Sequence, residues 1–138
     1  MSDSASMEFQ GQNLGDLIGK LIEKDGETFG TVILQKTAFS ILTETVKNNH
    51  RVDTGAMRGN WQVSRNIRNA RTQSNSKTGR GTISKGRRVI KAIKLKDTVF
   101  IYNNLPYTHI WEEEDRMLKE AVRKVTSNLE KNLDKTRL

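Results

Sequence analysis

A polar segment at residues 65–88, which shows no apolar periodicity, separates two apolar regions of this 138-residue chain. It reads RNIRNARTQSNSKTGRGTISKGRR, and Gly, Ser and Asn are frequent in it. This composition is typical of a turn-rich connection, so we predict a long basic loop or the tip of a hairpin. A connection of this length inside a small domain is usually functional or disordered. The regular secondary structure is therefore expected before and after it.

Before this segment, apolar residues recur at helical spacing from Leu14 to about Asn48. Asp25-Gly26 is expected to divide this region into a short helix and a longer one. The longer helix has a wide apolar face that must pack on another element. Residues 1–13 are mostly polar, and we expect them to form a flexible N-terminal arm.

After the segment, residues 98–102 (TVFIY) predict a strand by their β-propensity, and Trp61 with Val63 indicates a shorter strand before it. From Asp115 nearly to the end, apolar residues form one helical stripe. The predicted fold class is α+β, with a long N-terminal helix and a C-terminal helix packed on a small, mainly antiparallel sheet. We expect two or three helices in a single domain over residues 14–138.

The composition excludes several classes of function. The chain has no cysteine, so disulfides, thiolate zinc sites and a cysteine nucleophile are ruled out. No apolar run approaches the roughly 20 residues that span a bilayer, and no signal peptide is recognisable at the N-terminus. We expect a soluble, intracellular protein that does not bind membranes.

The positive charge is confined to one part of the chain. Eleven basic residues and no acidic ones lie between Arg65 and Lys96, while the rest has thirteen Lys and Arg against sixteen Asp and Glu, a net charge of −3. Such a concentration of charge favours an anionic partner, for which nucleic acid, an acidic protein surface and mere solubility remain open. The scarcity of aromatic residues there favours sequence-independent contact if the partner is nucleic acid. The predicted contact residues are Arg65, Arg68, Arg71, Lys77, Arg80, Lys85, Arg87 and Arg88.

The sequence Val52-Asp53-Thr54-Gly55 matches the four residues around the catalytic aspartate of aspartic proteases. Those enzymes use two such carboxylates, so a domain of this size would have to dimerise. The residues flanking the motif are polar and basic here, whereas those enzymes have apolar flanks. Asp53 and Thr54 are well suited to accept hydrogen bonds from the backbone that follows, and Gly55 permits a positive φ. We therefore interpret the segment as a turn with no catalytic role.

Two patterns that could hold a cofactor are incomplete. Residues 81–86 have the glycine spacing of a phosphate-binding loop, but Arg87 stands where a lysine is required and no apolar strand precedes them. His109 with Glu112 and Glu113 lacks a further well-placed metal ligand. We predict no cofactor, no metal and no enzymatic activity.

Two segments in order resemble a known family. The first, VDTGAMRGNW at residues 52–61, ends in Trp61, and the second, VFIYNNLPY at residues 99–107, is followed by Trp111-Glu112 and a helix. This order is similar to that of the neck and tail-completion proteins of tailed bacteriophages. The resemblance covers most of residues 48–133, with the polar and basic residues 65–88, which we call the basic segment, as an insertion. The family often has Gly soon after the glutamate, where this chain continues with Glu113.

The resemblance implies a structural virion protein that forms a sixfold or twelvefold ring in the neck. Its expected partners are further copies of itself, the portal or adaptor, and tail proteins, with DNA in the channel as a further candidate. It would be located at the head-tail interface and assembled in the host cytoplasm. The implied structural residues are Val52, Asp53, Thr54, Gly55, Trp61, Asn103, Asn104, Pro106, Tyr107, Trp111 and Glu112. The alternative, drawn from charge alone, is a stand-alone, sequence-independent nucleic-acid-binding module.

Overall fold

The computed structural model describes the backbone of residues 6–10, 15–48 and 54–136, and the side chains of residues 30–48 and 54–129. Within these ranges it contains five helices and an antiparallel sheet, which confirms the predicted α+β class. The predicted turn residues Val52 and Asp53 lie outside the described residues. The elements are β1 (Ser6–Gln10), α1 (Gly15–Lys47), α2 (Ala56–Gly59), β2 (Trp61–Arg65), α3 (Arg80–Ile90), β3 (Thr98–Asn103), α4 (Thr108–Asp115) and α5 (Met117–Thr136).

The sheet has the order β1-β3-β2, and both pairings are antiparallel. β3 is therefore central, and its Val99 and Ile101 are fully buried. Val63 of β2 lies opposite Ile101, and Trp61 lies opposite Asn103. β1 pairs residues 6–10 with β3, so part of the predicted flexible arm is a strand in this structure.

Helix α1 is continuous from Gly15 to Lys47, so the predicted break at Asp25-Gly26 is wrong. A single interior glycine costs a helix only about 1 kcal/mol, which a helix of this length can offset through its other residues. The core side of its second half carries Leu34, Ala38 and Leu42, all fully buried. Helix α5 packs along α1, where Lys124 Nζ is 3.3 Å from Glu44 Oε2.

The prediction of an irregular connection over residues 65–88 is wrong for its last part, because residues 80–90 form helix α3. The buried residues of α3 are Thr82, Gly86 and Ile90, spaced four apart as one helical face requires. Two of these three are not large apolar residues, so the face gave no apolar periodicity. A Cβ at Gly86 would lie 2.2 Å from Leu42 Cδ2, which shows how closely α3 approaches α1.

The C-terminal region also differs from the prediction. Helix begins at Thr108 rather than Asp115, and Arg116 in a left-handed conformation (φ 50°) separates α4 from α5. The expected two or three helices are thus five in the described part of the chain. The two additional short helices, α2 and α4, join the longer elements and were too short to give a periodic pattern.

Candidate functional site

The two segments that carry the family resemblance meet at Asn103, which is fully buried. Its Nδ2 donates to the carbonyl oxygen of Met57 at 2.9 Å. Its Oδ1 accepts from the Leu105 backbone N–H at 3.1 Å and from Thr108 Oγ1 at 3.0 Å. One amide therefore fixes the end of β3 to α2 and to the start of α4. We call Met57, Trp61, Asn103 and Thr108 the motif cluster.

Trp61 supplies apolar area to this cluster. Its side chain is fully buried, and its indole N–H has no hydrogen-bond partner among the described residues. Burial of an aromatic ring of this size is a large favourable contribution to folding. Trp61 thus contributes to the fold through packing.

Thr54 and Gly55 have the turn geometry that the sequence predicted for them. The Thr54 hydroxyl accepts a hydrogen bond from the Ala56 N–H at 3.2 Å, and Gly55 has φ 82°. A Cβ at Gly55 would lie 2.6 Å from the backbone nitrogen of Lys77. Position 55 therefore requires glycine for two reasons, its positive φ and the close approach of the basic segment.

Asn104 and Tyr102 connect β3 to the basic segment. The Asn104 side-chain amide donates to the carbonyl oxygens of Asn69 at 2.9 Å and Arg71 at 2.8 Å. The Tyr102 hydroxyl accepts from the Asn69 N–H at 3.2 Å, and the Arg68 guanidinium lies 4.8 Å from the centre of the Tyr102 ring. The second asparagine of the motif therefore holds a neighbouring segment in place.

The residues after the Asn-Asn pair build the connection to the last two helices. Pro106 and Tyr107 are exposed, and the Tyr107 and Trp111 rings are 5.8 Å apart at an angle of 50°. The Glu112 carboxylate accepts hydrogen bonds from the N–H groups of Leu118 at 3.0 Å and Lys119 at 2.9 Å. These are unsatisfied donors at the start of α5, so Glu112 caps that helix.

Further amide side chains hold the basic segment against α2 and β2. The Gln73 N–H donates to Asn60 Oδ1 at 2.6 Å, and Gln73 Nε2 donates to the Gly59 carbonyl at 2.9 Å. Gln62 Nε2 donates to the Arg71 carbonyl at 2.6 Å. Sequence reasoning missed Asn60, Gln62 and Gln73. The only sequence feature that pointed to these three residues was the frequency of Asn and Gln around and within the basic segment.

Helix α3 is seated on α1 and α2 by small residues. Thr82 Oγ1 donates to the Arg58 carbonyl at 2.9 Å. Gly79, with φ 79°, precedes the helix, and a Cβ there would lie 2.3 Å from Val46 Cγ1. Together with Gly86, these contacts bring the backbone of α3 close to α1 and leave its other face to solvent.

The structure divides the eight predicted contact residues into two groups. Three have partners within the chain: Arg65 Nε lies 3.4 Å from Asp97 Oδ2, Arg68 lies over Tyr102, and the Arg87 guanidinium lies 4.8 Å from the centre of the Phe39 ring. The other five are exposed and form no ion pair with a described residue, and Lys91, just after α3, shares this character. We call these six the basic surface: Arg71, Lys77, Arg80, Lys85, Arg88 and Lys91.

Asp97 is the acidic residue that ends the basic run. Burial acts to raise the pKa of its carboxyl group, but the Lys94 N–H, the Asn66 amide and the charges of Arg65 and Lys94 together lower it below its ordinary value. Asp97 accepts from the Lys94 N–H at 2.7 Å and from Asn66 Nδ2 at 3.1 Å. It therefore has a local structural role at the start of β3.

The described residues contain no group of three or more His, Asp or Glu placed to hold a metal ion. In the same part of the chain, no helix combines the length and apolar character needed to cross a membrane. Comparison with protein-family models, with curated proteins and with solved structures gave no match.

Proposed function

We propose that the chain is a structural virion protein of a tailed bacteriophage, which forms a ring in the neck and joins the portal or adaptor to the tail. The observation that carries this proposal is the hydrogen bond between Asn103 and Met57. It joins the two segments on which the family resemblance depends. Residues that look like separate motifs in the sequence form one buried structural unit.

The chemistry of this unit supports a role in assembly. The polar groups of Asn103 are used in internal hydrogen bonds, and the buried indole N–H of Trp61 has no hydrogen-bond partner among the described residues. Side chains with such contacts orient the surrounding elements and are not presented to a substrate. By this proposal the Asp-Thr-Gly sequence is a turn, and the chain has no catalytic activity.

A ring also needs contact surfaces between copies. Helix α4 and the turn before it expose Ile110 (50% exposed) and Tyr107 (37% exposed). Neighbouring apolar side chains on a surface are typical of interaction sites. Closure of a ring requires a heterologous interface, in which this surface would meet a different surface of the next copy.

Electron cryo-microscopy of the tailed particles that contain the chain tests the proposal. We expect a ring of six or twelve copies between portal and tail. Particles whose heads and tails join normally in the absence of the protein would overturn the proposal. The rival, a stand-alone nucleic-acid-binding module, predicts a monomer or dimer that is absent from the particle.

Sedimentation of purified variants tests the α4 surface. Ile110→Asp should shift the protein from a large oligomer, formed alone or with its partners, to smaller species. Ile67→Asp is the matched control, because Ile67 is 78% exposed and lies outside this surface. Equal effects of the two substitutions, or none from Ile110→Asp, would argue against α4 as the contact between copies.

A further inference from the structure

The exposed face of α3 has an unusual composition. Its exposed positions carry the basic side chains of Arg80, Lys85, Arg87 and Arg88. The remaining exposed residues of the helix are Gly81 and Ser84, so the face has no acidic and no large apolar side chain. Lys91 extends the face by one turn, and over these residues the helix rises about 16 Å.

This face is fixed before any ligand arrives. Gly86 and Gly79 hold the helix close to α1, and Thr82 bonds to the Arg58 carbonyl. The basic residues that precede α3 are held too, because the Arg71 carbonyl accepts from Gln62 Nε2 and the Lys77 carbonyl from Arg58 Nη1 at 2.6 Å. A preformed array of charges avoids the ordering cost that a flexible chain pays on binding.

The composition of the face favours a polyphosphate over a protein partner. Protein–protein interfaces have a partly apolar centre and are depleted in lysine, whereas protein–DNA interfaces are more polar and much more positively charged. The exposed large apolar residues of the described part of the chain, which are Val32, Ile67, Tyr107 and Ile110, all lie outside α3. The basic surface therefore lacks the anchors expected for protein binding and has the charge expected for phosphate binding.

The aromatic rings near the face favour a duplex over a single strand. Single-strand binding uses exposed aromatic rings on which bases stack. Here the Arg87 guanidinium lies over the Phe39 ring, and Tyr102 is fully buried beneath Arg68. The Tyr102 ring is closed to a base, and the Phe39 ring is partly buried with Arg87 over it, so contact is left mainly to charged side chains and the phosphate backbone.

We infer that the basic surface binds the phosphate backbone of duplex DNA without reading its sequence. Long Arg and Lys side chains can reach phosphates without fixed register, and on a face whose exposed side chains are basic or small this sequence-independent attraction is expected to dominate binding. The inference stands on this surface alone. That the ligand would be DNA within the neck channel rests on the proposed function.

The test is fluorescence anisotropy of the full chain with a labelled mixed-sequence DNA duplex at several salt concentrations. The triple variant Arg80→Gln/Arg88→Gln/Lys91→Gln should bind at least tenfold more weakly at low salt. The slope of log K against log salt should become shallower by about 2 to 3, since each lost phosphate contact contributes about 0.9. A second mixed-sequence duplex should bind equally well.

The matched control removes three exposed charges elsewhere: Lys47→Gln/Lys119→Gln/Arg123→Gln, on α1 and α5. Its affinity and salt slope should stay close to those of the unchanged protein, which would support a specific role for the basic surface. Equal weakening by the two triple variants would overturn the inference, because it would show that net charge alone governs binding. Circular dichroism establishes that both variants remain folded.

The other arms use different probes with the unchanged protein. Single-stranded DNA of the same sequence and poly-glutamate should both bind more weakly than duplex DNA. Tighter binding of either of these, or the absence of duplex binding, would overturn the inference. Location in the particle is measured separately, so a neck ring that does not bind DNA would refute the inference alone, and a DNA-binding chain outside the neck would refute the proposed function alone.

Discussion

The motif cluster and the basic surface are both conspicuous in the sequence, but the structure uses them in opposite ways. The motif cluster is buried, and the polar groups of Asn103 are bonded within the chain. The basic surface points to solvent, and its cations form no ion pair with another described residue. The difference teaches that a motif of mixed polar and aromatic residues can be used in internal packing and hydrogen bonds, whereas a run of like charges can stay on the surface.

The two regions are nevertheless joined. Asn104, next to the motif cluster, donates to the carbonyl oxygens of Asn69 and Arg71 in the basic segment. Gly55 and Gly59 allow that segment to pass close to α2. Substitutions can therefore test which residues stabilise the whole fold, which hold the basic segment against its neighbouring elements, and which act only at the surface.

The largest effect is expected at Trp61. Trp61→Ala removes a fully buried ring and should lower the free energy of unfolding by about 3–5 kcal/mol. Urea denaturation followed by circular dichroism measures this. Trp61→Phe should cost much less, because the indole N–H has no hydrogen-bond partner in the described part of the chain. Equal losses from the two substitutions would mean that the N–H matters.

Next is the buried amide of Asn103. Asn103→Ala removes the partner of the half-buried Leu105 N–H and one of the two donors to the Met57 carbonyl, which keeps the Asn60 N–H, so we expect a total loss of about 1–3 kcal/mol. Thermal and urea unfolding should both show the loss. Asn104→Ala is the control, since Asn104 is only half-buried and its loss should affect the basic segment more than global stability. A larger effect at Asn104 would reverse the assignment of roles.

Gly59→Ala tests the close contact between α2 and the basic segment. A Cβ there would lie 2.3 Å from the Ser74 carbonyl oxygen and 2.7 Å from the Ser76 nitrogen, so the backbone must move. We expect a cost of about 1–3 kcal/mol and faster hydrogen exchange over residues 70–77. Gly81→Ala, where a Cβ meets nothing within 4 Å, is the control: it should not speed exchange over residues 70–77, and because Gly81 lies in α3 it should leave stability the same or raise it by up to about 1 kcal/mol. Unchanged exchange in Gly59→Ala would show that the close contact is easily relieved.

A smaller effect is expected from the pH dependence of Asp97. Its pKa in the folded protein is lowered, so its ionised form favours the folded state above its ordinary pKa, and that contribution is lost as the pH falls below about 4. Asp97→Asn should therefore narrow the difference in melting temperature between pH 7 and pH 3. Glu113→Gln, an exposed position, should leave that difference unchanged. An identical narrowing in both variants would remove Asp97 from the explanation.

The smallest effect on stability is expected at the basic surface itself. Each of Arg80→Gln, Arg88→Gln and Lys91→Gln should change the free energy of unfolding by no more than about 0.5 kcal/mol, because these side chains are exposed. Urea denaturation of the three single variants measures this. A loss of 2 kcal/mol or more in the free energy of unfolding of any one variant would show that the residue stabilises the fold, as the motif cluster does.

The fold class could be predicted because periodicity and β-propensity are strong over the long elements. The apolar residues of α1 and the sequence of β3 indicated their elements directly, although the continuity of α1 past Gly26 was not foreseen. Helix α3 escaped prediction because its buried face uses Thr82 and Gly86, whose small size is needed at the contact with α1. Close approach of backbones selects residues that carry little hydrophobic signal.

The candidate sites could be predicted only in part, because a local sequence pattern does not show which residues meet in the folded chain. A run of basic residues shows where charge is concentrated, but Arg65, Arg68 and Arg87 have internal partners that depend on tertiary structure. The structural character of the Asn-Asn motif followed from the resemblance, whereas the pairing of Asn103 with Met57 joins residues 46 positions apart. No local pattern encodes such a contact.

The basic segment is attached largely through the uncharged amides of Asn60, Gln62, Gln73 and Asn104, in addition to the bond from the Arg58 guanidinium to the Lys77 carbonyl. Hydrogen bonds between neutral groups respond little to ionic strength or to pH near neutrality. Concentrated salt would therefore weaken the binding of an anionic ligand to the chain without breaking the neutral hydrogen bonds that hold the basic segment in place. Release and rebinding would then need no refolding step, so ligand exchange could be as fast as diffusion and ion exchange permit.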